Sequence, residues 1–180
     1  MKNQDLLSSL PNTPYQIKVK TNSDMEIMCG KQRIAKLIVQ QDKETKTSTY
    51  ELVLSNKEET LFRFVRTEDS MCGFYPEDNQ TVFVWKRLST AFSELYSGLK
   101  WQCENMILSQ NIIRSLTMWI PRISWFIPTK YTINENDFCH GIISGAVFSF
   151  SNGKNVTIMS PEKALEIMAA AIILAEEELG

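Results

Sequence analysis

The sequence predicts a mainly β, α+β domain: a meander of antiparallel hairpins, closing as a sandwich or a barrel, with a hydrophobic C-terminal helix buried on every side. Three observations predict it. Short segments from Tyr15 to Arg87 alternate apolar and polar residues with period two, between turn signals at regular spacing, as half-buried strands do. Asn152-Gly153 separates two apolar runs near the C-terminus, the pattern of a tight hairpin. Finally, from Ala164 to Ala175 the only polar residue is Glu166. A helix laid on one side of a sheet needs a single apolar stripe; one that is apolar all round must be enclosed by protein or by lipid.

Residues 1–14 are polar and end in Pro-Asn-Thr-Pro, which reads as a loose N-terminal arm; a single domain, 15–180, follows. Tyr15, Ile17 and Val19 alternate with Gln16, Lys18 and Lys20, and Met25, Ile27 and Cys29 begin a second alternation. Gly30 turns the chain into RIAKLIVQQ, where Ile34, Leu37 or Ile38, and Val39 compete for the inner face. A charged connection, Asp42 to Ser48, leads to TYELVLS, with Tyr50, Leu52 and Leu54 on one face. TLFRFVRT places Phe62 and Phe64 on one face, with Arg66 next in phase. SMCGFYPEDNQTVFVWKR reads as strand, turn, strand.

The middle of the chain is ambiguous by periodicity. Leu88, Phe92, Leu95 and Leu99 recur at helical spacing behind Ser89 or Thr90, although Gly98 weakens such a helix. From Trp101 the pattern fits either a strand or a longer helix running to Ile113. SLTMWIPRISWFIPTKYTI is aromatic and β-branched but broken by Pro121 and Pro128, so edge or bent strands are expected. Ser160-Pro161-Glu162 then opens the last helix, with serine at the N-cap, proline in the first turn and an acidic residue beside it. A membrane span needs about 20 apolar residues. This run is shorter and ends in Glu176-Glu177-Glu178, so no transmembrane span is expected and enclosure by strands is.

Composition excludes some functions. Nineteen Lys and Arg against 21 Asp and Glu give a net charge of -2, without the basic excess of a dedicated nucleic-acid binder. Cys29, Cys72, Cys103 and Cys139 form no close pair, which disfavours zinc-finger and thioredoxin-type sites. The first residues lack the apolar core of a secretory signal, and a cytoplasmic location with reduced thiols is expected. Neither phosphate-binding glycine motif occurs. His140, the only histidine, adjoins Cys139, but neighbours on a strand point to opposite faces, so a surface or hairpin position is expected for it. Glu68, Asp69, Glu77 and Asp78 sit in turn-like segments, where carboxylates serve solvation. No catalytic residue, cofactor or metal site is predicted.

GAVFSFSNGKNVTIMSPEKALEIMAAAIILAEEEL, with the preceding order of strand pairs, resembles the tubby-like superfamily, which includes the phospholipid scramblases and the LURP-one-related proteins. The resemblance implies an antiparallel β-barrel-like sheet surrounding the buried hydrophobic C-terminal helix. It also implies a non-enzymatic intracellular binding or interaction module, directed at phospholipid head groups on an anionic membrane surface or at a protein partner. Its fold competitor is an α+β domain whose sheet is capped by helices. In function the alternatives are a small enzyme or ligand-binding domain with an internal pocket, and a self-assembling structural protein. Lys18, Lys86 and Arg87 are the candidate anion or head-group residues, forming one patch only if their strands adjoin. Trp119, Trp125 and Phe126 are the candidate interaction surface.

Overall fold

In a computed structural model the described residues are 15–19, 25–55, 59–77, 80–90, 98–110, 130–145 and 153–177. They form twelve strands and one α-helix. The strands are β1 (Tyr15–Val19), β2 (Met25–Cys29), β3 (Gln32–Asp42), β4 (Thr47–Leu54), β5 (Thr60–Arg66), β6 (Ser70–Phe74), β7 (Thr81–Arg87), β8 (Lys100–Cys103), β9 (Met106–Gln110), β10 (Lys130–Glu135), β11 (Phe138–Gly145) and β12 (Gly153–Ile158). A short 3-10 turn, Pro161–Lys163, leads into the helix, α1 (Ala164–Glu177).

Each strand pairs antiparallel with its neighbours in sequence, and β1 pairs with β12 through Tyr15↔Val156 and Ile17↔Lys154, so the sheet closes into a barrel. Closure leaves no open sheet edge, which is how such a meander avoids pairing with other chains. A flat sheet would not close. Register shifts at Ile27/Met28, Leu52/Val53, Gly73/Phe74 and Ile133/Asn134 supply bulges that add local twist and coil. At Gly73 the wall has no room for a side chain: a Cβ there would lie 2.5 Å from the Phe83 ring and 2.8 Å from that of Phe62.

The alternation read from the sequence sets which side chains enter the barrel. Tyr15, Ile17, Leu37, Tyr50, Phe64, Trp85 and Trp101 all face the core and are buried. On β3 the competition is won by Ala35 and Leu37, with Ile34 and Val39 half-buried. Gly30 turns β2 into β3 with φ of 59°, a left-handed conformation that glycine adopts without the clash of a Cβ. The β3–β4 turn is held by Asp42, whose Oδ1 accepts from the Glu44 and Thr45 amides at 2.9 and 3.4 Å.

The lumen is filled by α1. Eleven of its residues, including every one from Ile167 to Ala175, are buried, and it packs against β1, β11 and β12 on one side and β6 and β7 on the other. The alanines let the wall come close; at Gly141 of β11 even a methyl would sit 3.1 Å from Ile167. The mainly β barrel around a buried C-terminal helix is therefore the fold. No helix among the described residues is long and apolar enough to cross a membrane.

The chain from Trp101, which periodicity leaves open between a strand and a longer helix, is the β8–β9 hairpin, turning at Glu104 with φ of 53°. The flanks of the Leu88–Leu99 stretch are also non-helical, with Leu88 and Ser89 amides directed to the Lys100 carbonyl at 2.9 and 3.3 Å; residues 91–97 lie outside the described residues. His140, expected at a surface or hairpin position, lies in the β10–β11 hairpin but is only 8 % exposed. The cause is the β10–β11 bulge: Ile133 pairs with Gly141 and Asn134 with Cys139, leaving His140 as the extra residue, which turns inward.

Candidate functional site

The C-terminal end of α1 poses an electrostatic problem that the barrel wall solves. Glu176 and Glu177 lie at the negative end of the helix dipole, with no basic residue in the last turn to compensate. The cations come instead from the rim. Arg66 continues the inward phase of Phe62 and Phe64 on β5, and Arg87 that of Phe83 and Trp85 on β7. Arg66 Nη1 donates to the Ile173 carbonyl at 3.3 Å, near the C-terminal end of the helix, and to Glu176 Oε2. Its Nη2 donates to Glu177 Oε1 at 2.6 Å, and Arg87 Nη1 stands 3.6 Å from the same oxygen.

This four-residue cluster is poorly solvated. The Arg66 side chain is 11 % exposed. Burial, with the like charge of Arg87 behind it, pulls the guanidinium below its ordinary value, and Glu177 opposes that. Burial and the adjacent Glu177 push the Glu176 carboxyl up to about 7, although the Arg66 guanidinium touches it. The Arg66 guanidinium carbon also lies 6.0 Å from the Trp101 ring centroid, within cation–π range. Among the described residues, Trp101 Nε1 and the Tyr50 hydroxyl, both on buried side chains, find no hydrogen-bond partner. Unpartnered polar atoms of this kind are uncommon in protein interiors. Beside the cluster an open cleft of about 340 Å³ is lined by Lys46, Ser48, Arg66, Thr67, Glu68 and Glu176.

At the opposite end of α1, the wall again reaches the helix. Trp85 Nε1 donates to the Glu166 carbonyl at 3.0 Å, and Lys163 Nζ stands 3.7 Å from Glu104 and 3.6 Å from Glu166. Cys103 lies nearby. Burial first, then the carboxylates of Glu166 and Glu104, push its thiol up to about 12, which leaves it un-ionised and unreactive at neutral pH. Ser160 has the extended backbone of an N-cap, but its hydroxyl makes no capping bond. It lies instead 2.8 Å from His140 Nδ1, whose Nε2 is 3.2 Å from Glu135 Oε2. Serine, histidine and glutamate are thus aligned, but Ser160 and His140 are 3 % and 8 % exposed, and the arrangement ties β10, β11 and the helix start together. Among the described residues no group of three His, Cys, Asp or Glu is placed to hold a metal ion.

The three basic residues singled out from the sequence are not brought into one patch. β1 and β7 stand on opposite sides of the barrel, so Lys18 is remote from Lys86 and Arg87. Lys86 faces outward while Arg87, one residue on, faces the mouth. Only Arg87 belongs to the charged cluster. Its principal partner, Arg66, carried a sequence signal, the inward phase of β5, and the run of glutamates at the wrong end of a helix was a second. Trp119, Trp125 and Phe126 lie outside the described residues. Of the four turn carboxylates, Glu68, Asp69 and Glu77 are exposed and Asp78 is outside the described residues; Glu68 alone borders the cleft. Compared with known protein families, curated proteins and solved structures, the chain finds no match.

Proposed function

We propose that this chain is a non-enzymatic, tubby-like binding module that recognises an anionic group, on a phospholipid head or on a protein partner, at the barrel mouth around Arg66 and Arg87. The observation that carries the reading is the pairing of two inward-facing arginines with carboxylates beside an open cleft. A guanidinium binds carboxylate and phosphate oxygens through its planar fork of N–H donors, and does so best where water is scarce. The filled lumen supports the same reading. An internal substrate pocket would need the space that α1 occupies, so recognition falls to the mouths and the outer wall.

Sedimentation with vesicles containing phosphatidylserine, together with a binding titration of a glutamate-rich peptide, tests this. Salt-sensitive binding to either, weakened in Arg87→Gln, is expected. Binding to neither, or binding indifferent to Arg87→Gln, would remove the mouth as a recognition site.

A further inference from the structure

The mouth is already occupied. Arg66 and Arg87 hold two adjacent carboxylates, and both belong to the chain's own helix. We propose that Arg66 and Arg87 form a recognition site for paired carboxylates that Glu176 and Glu177 fill in cis, and that an acidic segment of a partner protein binds by replacing them. The proposal rests on the mouth being the recognition surface, and adds to it the ligand class and a built-in competitor.

Three features of the cluster favour exchange of like for like. First, Arg66 is too buried to stand without a counter-charge, since removing one partner of a buried ion pair leaves an uncompensated charge. A ligand that brings carboxylates as the glutamates leave preserves that balance, whereas a neutral ligand does not. Second, the geometry fits two neighbouring carboxylates. Glu176 is taken by Arg66, and Glu177 faces both arginines, with Nη2 of Arg66 at 2.6 Å and Nη1 of Arg87 at 3.6 Å. Third, the cleft that gives access is lined by Glu68 as well as by Lys46, Ser48 and Thr67. The hydroxyls and the Lys46 ammonium offer donors to the carbonyls of a peptide that enters there.

Displacement is confined to the helix terminus. Glu176 and Glu177 are its last two described residues, beyond the wholly buried stretch that ends at Ala175. Releasing them opens the last turn without withdrawing the apolar helix from the barrel, and helix ends are the segments that open at least cost.

The test uses the full chain in mildly alkaline buffer. A labelled peptide of this chain's own sequence from Leu174 to Gly180, LAEEELG, is titrated beside the same peptide with glutamine at all three glutamates. The wild type is expected to bind the acidic peptide weakly and the glutamine peptide not at all. The Glu176→Gln/Glu177→Gln protein, freed of its internal competitor, is expected to bind about tenfold more tightly, as removal of a competing closed state predicts. Arg87→Gln is expected to lose the binding. If the double variant does not fold, as judged by its unfolding midpoint, Glu177→Gln alone answers the question, because its carboxylate is shared by both arginines.

A folded glutamine variant that binds no more tightly than wild type overturns the cis competition, while Arg87-dependent binding would still uphold the mouth reading. Arg87-dependent binding of vesicles of phosphatidylglycerol, whose head group carries phosphate and no carboxylate, without binding of the peptide overturns the carboxylate assignment in favour of phosphate. Absence of any Arg87-dependent binding overturns this inference and the proposed function together.

Discussion

Trp85 and Glu166 join the barrel wall to the helix inside it: the indole Nε1–H of Trp85 donates to the main-chain carbonyl of Glu166 at 3.0 Å. The bond is directional within an otherwise apolar contact, so it fixes how far α1 is inserted and how it is rotated. Trp85→Phe keeps most of the ring packing and removes the donor, and should cost about 1 kcal/mol, the net contribution of a typical hydrogen bond. Trp85→Ala empties a buried site and should cost about 3–5 kcal/mol. Chemical unfolding of both variants separates the terms, and a Phe variant as stable as wild type would show that the bond adds nothing.

The same helix carries a sharper prediction. Ala170 is fully buried among strands on both sides of the barrel. Ala170→Glu adds both volume and an unpaired charge, two of the mechanisms behind losses beyond about 4–5 kcal/mol. Soluble, folded protein is not expected. An unfolding midpoint close to that of wild type would mean that α1 is not enclosed at this position.

These two positions mark what was legible in the sequence. An apolar circumference requires enclosure whatever the surroundings, so the buried helix could be read from ALEIMAAAIILA alone. Period-two alternation gave the inward face of most strands, including the phase that carries Arg66 inward behind Phe62 and Phe64. What alternation lacks is azimuth, the position of a strand around the barrel. Lys18 and Arg87 form a patch only if their strands adjoin, and closure sets β1 opposite β7. Arg66 and Glu177 meet across 111 residues of chain, and no local pattern encodes that distance. The burial of His140 escapes the sequence pattern for a different reason. A single-residue bulge inverts the phase of the strand, and the sequence of β11 contains no proline or positive-φ residue to announce it.

The buried histidine offers its own test. His140 Nδ1 and Ser160 Oγ, 2.8 Å apart and both buried, connect the bulge to the entrance of α1, and the His140 carbonyl accepts from the Met159 and Ser160 amides at 2.9 and 3.1 Å. His140→Gln and Ser160→Ala each remove the side-chain link, and the double variant should cost less than the sum of the singles by about 0.5–1.5 kcal/mol. Strict additivity in the cycle would mean that the two side chains merely sit side by side.

The charged mouth makes stability depend on pH in a direction opposite to that of most exposed ion pairs. Burial and Glu177 raise the Glu176 carboxyl from near 4.5 to about 7 in the folded chain. Below pH 4.5 the group is protonated whether the chain is folded or not, and its contribution favouring the folded state is complete. Between about 4.5 and 7 the unfolded chain has released the proton while the folded chain still holds it, so each increment of pH favours unfolding. Above 7 the group is ionised in both states and that contribution is gone. The Glu166 carboxyl, raised chiefly by burial, adds to the trend in the same sense. The unfolding midpoint of wild type should therefore fall as pH rises through this window. In Glu176→Gln, which cannot titrate but can still accept from Arg66, the slope should be visibly shallower. A slope unchanged by the substitution, or one of opposite sign in wild type that Glu176→Gln removes, would place the Glu176 carboxylate in a well-solvated, Arg66-dominated pair and not in the desolvated cluster that the mouth geometry describes.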